Sequence, residues 1–289
     1  MRTSSHGAKP RPHLVRKRHF WRVLVSGAVL ALIGCGVGLL APGGQTMPVG
    51  DLPGWKQVFT EDFNKGDVPV GAFPGDAYSA RWSAGYPDGT PDTAGQQSGG
   101  RSAYFPSKVL SVKNGLLDWD LHSENGVSMG AAPWPKIPNS SSGPGRDNSQ
   151  LYGRYSVRFM AESLPGFKTA WLLWPDSGQW PQDGEIDFPE GDLAKTIYGA
   201  VHFRGDDPKA FEMFESHTTF TSWHVATMEW SPGNVEFFLD GKKIGVGTTA
   251  TPTTPMHYIL QSESCLPTCP LPHTRGHVYL DWITIWTRD

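Results

Sequence analysis

Cysteine is scarce in this chain of 289 residues: there are three, and beyond Cys35 only Cys265 and Cys269 remain. Charge is thin as well, at 18% of residues, and residues 1–50 contain no acid at all. Those fifty residues carry seven of the 25 Lys and Arg (Arg2, Lys9, Arg11, Arg16, Lys17, Arg18 and Arg22), so the remainder holds 18 basic against 28 acidic side chains, a formal balance of −10. An acidic body argues against nucleic acid and against anionic membrane surfaces as partners. No segment repeats internally, and none of any length has helical periodicity, which speaks against helical bundles and alternating α/β architectures. What is plentiful is glycine, proline and tryptophan, at 34, 25 and 12 residues.

Behind the basic residues 1–22 lies one uncharged, largely apolar run, Val23 to Ala41. It is long enough to span a bilayer core, and its basic flank belongs on the cytoplasmic side. Everything after it is then exported, to the outer face of the membrane or beyond. Three fates are open for the run: an uncleaved anchor, a cleaved signal peptide, or lipidation at Cys35 within Leu32-Ile33-Gly34-Cys35. Pro42 to Gly50 reads as a linker, and 51–289 as one domain. In an exported protein, Cys265 and Cys269 suggest a small-loop disulfide. The rival is a metal site with His273 and His277, although only three residues separate the two pairs.

Short alternating runs dominate the domain. Tyr155–Phe159 alternates cleanly; Val225–Trp230 and Val235–Leu239 flank Ser231-Pro232-Gly233-Asn234, a hairpin signal; His257–Gln261 and Val278–Trp286 add further strands. Many short strands with no helices between them predict an all-β, two-sheet sandwich or jelly roll. The stretches 87–101 and 135–148 lack strand pattern and read as long loops, either plain surface connections or covers of a binding face.

Glu185-Ile186-Asp187-Phe188-Pro189-Glu190 places three carboxylates in one strand-like segment. Residues two apart share a strand face, so Glu185 and Asp187 point together. Glu190 would face the other way, unless a bulge at Phe188-Pro189 inserts one residue and restores the phase. Crowded acids raise the pKa of at least one member, as a general acid near neutral pH requires. Hydrolysis of a glycosidic bond with retention uses two such carboxyl groups, one as nucleophile and one as acid and then base. The competing readings are a cation site and a solvated acidic edge.

The hexapeptide resembles the signature of glycoside hydrolase family sixteen, in the bulged form of its laminarinase-like branch. The resemblance extends to Trp55–Phe63, to Lys113-Asn114-Gly115-Leu116-Leu117, to Gly153-Arg154-Tyr155, to Trp180-Pro181 before Gly184-Glu185, and to Asp281-Trp282-Ile283. Phe167-Lys168-Thr169-Ala170-Trp171 differs from the usual W-P-A-x-W of that branch. The resemblance implies a jelly roll of the concanavalin A-like type with its cleft on one sheet. It assigns Glu185 as nucleophile, Asp187 as its assisting acid and Glu190 as acid/base. The implied activity is that of an endo-acting, retaining hydrolase of a β-linked polysaccharide, β-1,3-glucan or a related glycan. A transglycosylase and a non-catalytic carbohydrate-binding protein are the alternatives on the same fold.

Trp171 and Trp180 match family positions that face substrate, and sugar rings stack on aromatic faces; Trp174 and Trp223 are expected in the core or at an edge. His202 corresponds to a histidine often found beside the acid/base. Gln261 and Glu263 are candidates for contacts to sugar hydroxyls. No cofactor is required; the resemblance allows a structural, non-catalytic calcium at Gly115 and Asp281, with Asp62 a weaker ligand. The expected partners are the polysaccharide, no nucleic acid, and the membrane if residues 23–41 are retained, in a monomeric protein.

Overall fold

In the computed structural model, the described residues are 45–98, 101–137 and 148–288. The expectations for 1–41 and Cys35, and most of the loop 135–148, therefore lie outside the described residues. Among those described, no helix is long and apolar enough to cross a membrane. Residues Gly43–Asp289 form one compact unit.

Strand alternation is carried through the domain, and it builds two large sheets. One is eleven-stranded; its middle runs Asn234–Leu239, His224–Ser231, Gly153–Ala161, Gly276–Arg288 and Leu116–Glu124, with Trp55–Glu61 also paired to Gly276–Arg288. The other is six-stranded, in the order Phe211–Thr219, Thr196–His202, Glu185–Asp192, Phe167–Pro175, Met256–Ser264 and Ser149–Gln150. The predicted all-β jelly-roll sandwich is what the chain adopts. Among the described residues, helix is confined to three short pieces, Gly75–Tyr78, Thr93–Ser98 and Pro106–Val109. The hairpin expected at Ser231-Pro232-Gly233-Asn234 forms, pairing Ser231 with Asn234.

The two sheets meet through large apolar side chains. Trp171 packs on Trp119 at 5.8 Å and edge-on to Phe159 at 5.6 Å, and Phe188 packs edge-on to Phe237 at 5.3 Å. Each fully buried side chain of this size contributes roughly 1.5–3 kcal/mol. The inward set of the six-stranded sheet is therefore Trp171, Leu173, Ile186, Phe188, Ile197 and Val201. By the period of two, Lys168, Ala170, Leu172, Trp174, Glu185 and Asp187 face outward.

The expected linker is more firmly held than its composition suggests. The Trp282 indole donates to the Gln45 carbonyl at 3.0 Å, Gln57 Nε2 to the Pro48 carbonyl at 3.0 Å, and the Trp286 indole to the Gly50 carbonyl at 2.9 Å. Cys265 and Cys269 are joined in a disulfide. The His277 imidazole is engaged by Asp118 at 2.8 Å, so the rival metal site is not what these residues form.

Candidate active site

The register shows how the three acids come together. On the neighbouring strand, Ala200 opposes Asp187 and Tyr198 opposes Glu190, so two steps there span three on the motif strand. The other neighbour does the same, with Leu172 opposite Asp187 and Ala170 opposite Glu190. One extra residue is thus inserted at Phe188-Pro189, the bulge that the parity of the acids requires. Phe188 turns into the core while Glu185, Asp187 and Glu190 share the outer face, 9%, 2% and 6% exposed. Gly184 precedes them with φ +76°, and a Cβ there would lie 2.7 Å from the His202 carbonyl. Glycine is what lets the loop enter the strand at this point.

Burial without full pairing shapes the electrostatics. Glu185 is pushed up to about 8, first by burial and then by repulsion from Glu190, with the Asp187 hydrogen bond and Lys168 acting in the opposite sense. Asp187 is held well above the usual carboxylate range by burial, by Glu185 and by Glu190. The direction in both favours a proton on Asp187, donated to Glu185. Lys168 Nζ donates to Glu190 Oε1 at 2.6 Å. Burial alone would lower that lysine, but Glu190 and Glu263 outweigh it and hold it above its ordinary range. Tyr198 is raised by burial, with Glu190 adding to the effect.

His202 sits opposite Glu185 in register, with Nε2 3.6 Å from Asp187 Oδ2. It is therefore beside the pair Glu185–Asp187, and Glu190 is near enough to act on its charge. Burial lowers its pKa, which keeps the ring neutral. One ligand atom each from Glu185, Asp187 and His202 lies within 4.8 Å of the others, so the trio has the spacing of a cation site.

Beside the acids is a cavity of about 510 Å³, lined by Trp174, Trp180, Leu172, Ile259, Tyr86, Tyr104 and Gln261, with Glu185 at one end. Trp180 is where the sequence expectation puts it, stacked on Trp174 at 6.1 Å. Gln261 lines the wall and accepts a hydrogen bond from the Tyr104 hydroxyl at 2.7 Å. The stretch from residue 87, expected as a long loop, instead holds the short strand Thr90–Pro91 and the helix Thr93–Ser98, and its Thr90, Pro91, Thr93, Gln96 and Gln97 line this cavity.

Two expectations need correcting. Trp171 is not at the cleft; it is fully buried between the sheets, because it stands an odd number of residues from Lys168 and Ala170 on a regular strand. Trp174, expected in the core or at an edge, is the tryptophan of that strand that reaches the cleft. Asp281, expected at a calcium with Gly115, accepts an ion pair from Arg158 Nη1 at 2.5 Å. Lys168, Tyr198 and Trp174 went unnamed as site residues. Counting parity along Phe167–Pro175 from the cleft-facing Ala170 would have found two of them.

The sequence profile of glycosyl hydrolases family 16 matches residues 97–284, well over half of the chain. The chain belongs to this family. Among relatives of the family 16 chain, glucan endo-1,3-beta-glucosidase A1 of Niallia circulans is 32% identical over 127 residues, 38% of this chain and 19% of that protein. The beta-glucanase of Rhodothermus marinus is 30% identical over 103 residues, 32% of this chain and 36% of that protein. The matched segments thus span little more than a third of either relative at most. Among solved structures, SCLam, a non-specific endo-beta-1,3(4)-glucanase, superposes with a TM-score of 0.64 at 16% identity, covering 84% of the family 16 chain and 95% of SCLam.

Proposed function

We propose that the chain is an exported, endo-acting glycoside hydrolase that cleaves internal β-linkages of a β-1,3-glucan or closely related polysaccharide with retention. One observation carries this reading: the bulge at Phe188-Pro189 gathers Glu185, Asp187 and Glu190 on a single buried face beside an aromatic-lined cavity. Family membership and the two glucanase relatives support the substrate class. In the first step Glu185 attacks the anomeric carbon while Glu190 gives a proton to the departing oxygen. Asp187, holding its proton, donates to Glu185 and orients it. In the second step Glu190 takes a proton from water, which displaces Glu185 from the anomeric carbon. Trp174 and Trp180 present flat faces to sugar rings, and Gln261 and His202 present polar atoms.

Spacing of the Glu185, Asp187 and His202 ligand atoms favours a second reading, a metal-dependent carbohydrate-binding protein. New reducing ends released from a panel of β-glucans decide between the two. The hydrolase reading expects cleavage of β-1,3-glucan that persists in chelator and drops at least a thousandfold in Glu185→Gln. Wild-type turnover in that variant would remove Glu185 as nucleophile. Glycan binding that chelator abolishes, with no cleavage, would favour the metal-dependent reading. Export rests on Val23–Ala41, and cell fractionation tests it: activity confined to the cytoplasm would contradict it.

A further inference from the structure

Beyond the acids, the outer face of the six-stranded sheet runs on to its far edge. There Phe211 and Met213, on the strand Phe211–Thr219, are 47% and 48% exposed. The register puts Phe211 opposite His202, itself opposite Glu185, and Met213 opposite Ala200, itself opposite Asp187. Directly opposed residues share a sheet face. Both apolar side chains therefore project on the same side as the acids, two interstrand spacings or about 10 Å away. The Phe211 ring stacks on His202 at 5.2 Å and 23°, and Ala200 is too small to screen Met213 from Asp187.

The two sides of the motif strand differ in kind. Towards Phe167–Pro175 and Met256–Ser264 lies the walled cavity; towards Phe211–Thr219 lies an open apolar shelf outside the cavity lining. Double displacement makes different demands on its two sides. The glycosyl unit bonded to Glu185 must be held through both steps, whereas the leaving portion must depart and water or another sugar must enter. A walled cavity suits the first, and an open shelf suits the second. Apolar side chains exposed beside a cleft are a recurring mark of a ligand surface.

We propose that Phe211 and Met213 form an acceptor shelf, which binds the apolar face of the second β-linked hexose on the leaving-group side of the scissile bond. This rests on the glycanase reading above. The same shelf holds an incoming oligosaccharide. A hydroxyl of that acceptor then bonds to the anomeric carbon, the bond from that carbon to Glu185 breaks, and the hydroxyl proton passes to Glu190. The shelf thereby sets the ratio of transfer to hydrolysis.

The test uses the full chain with Met213→Ser, Phe211→Ser and, as the apolar control, Met213→Leu. Three quantities are read: KM for β-1,3-glucan, the transfer-to-hydrolysis ratio with an added β-1,3-gluco-oligosaccharide, and nitrophenol release from a short aryl β-oligoglucoside whose leaving group stops short of the shelf. Each serine variant is expected to raise KM for the polymer about three- to tenfold, or about 0.7–1.4 kcal/mol at 1.4 kcal/mol per factor of ten, and to lower the transfer ratio. Nitrophenol release by Met213→Ser should stay at the wild-type rate, and Met213→Leu should behave as wild type throughout. Unchanged polymer KM and transfer ratio in both serine variants would overturn the shelf, as would an equal loss of nitrophenol release in Met213→Ser. So would sedimentation showing that wild type self-associates and Met213→Ser does not, since a second copy would then cover this face. A wild-type chain that cleaves no glycan defeats the underlying glycanase reading, an outcome distinct from failure of the shelf in an active enzyme.

Discussion

Glu185 is a case in which chemistry and stability pull apart. Its carboxyl is raised to about 8 in the fold, against an ordinary 4.5, because it is buried beside Glu190. A raised acid favours the native state only while neutral, so that contribution is complete below the unfolded pKa and is lost as pH climbs through about 8. Glu185→Gln has no charge to bury. Its stability should match wild type near pH 4 and exceed it increasingly up to about pH 8, levelling off beyond, by an amount on the order of a few kcal/mol. Thermal melts across that range would check this, and a gain that did not depend on pH would contradict it. For activity the sign is opposite: in the proposed mechanism Glu185 attacks only when ionised, so kcat/KM should fall on the acid side well above the usual carboxyl range. Lys168 poses the complementary case. Glu263 is raised to about 7 by burial, with Lys168 opposing the rise. Lys168→Met should cost about 3–5 kcal/mol at pH 8, the usual penalty for breaking a buried pair, and distinctly less at pH 5, where Glu263 carries a proton. Equal losses at the two pH values, measured by urea denaturation, would argue against this pairing.

At the level of elements, the motif strand depends on what lies behind it. Phe188 packs on Phe237, and Phe237 also fills the space left by Gly199 on the adjacent strand, where a Cβ would lie 2.8 Å from its ring. Gly199→Ala should push Phe237 against Phe188 and so against the bulge. The expected cost is about 1–3 kcal/mol, as for other overpacked cores, with a fall in kcat because the spacing of Glu185 and Glu190 is disturbed. Denaturant midpoints and single-turnover rates test both halves; an unchanged midpoint would show that the ring has room to move. The bulge itself was readable from the chain, because Pro189 cannot continue a ladder and the three acids are out of phase without it. Which tryptophan reaches the cleft was readable too, by parity, once one outward residue of Phe167–Pro175 is known. The family pattern pointed to Trp171, and the strand alternation overrides it.

For the molecule as a whole, the boundary of the domain lies nearer Gly43 than Asp51. Residues 45–50 are tied to Trp282, Trp286 and Gln57 through backbone carbonyls, so they belong to the folded unit. A chain beginning at Gly43 should keep the melting temperature of the full protein. One beginning at Asp51 leaves two buried indole N–H groups without acceptors and should lose roughly 2–4 kcal/mol, at about 1–2 per donor. Equal melting temperatures for the two truncations would show that water replaces those carbonyls without cost.

The amino-acid order by itself determined the fold class, because a period of two and the turn residues are local properties. It also determined the identity of the three acids, whose phase demands a bulge. The tertiary structure decided everything that depends on strands distant in sequence: that Lys168 meets Glu190 and Glu263, that His202 stands by Asp187, that Arg158 takes the carboxylate of Asp281, and that Phe211 and Met213 share a face with the chemistry. Register between strands is set by the packing of two whole sheets, and no window along the chain contains it.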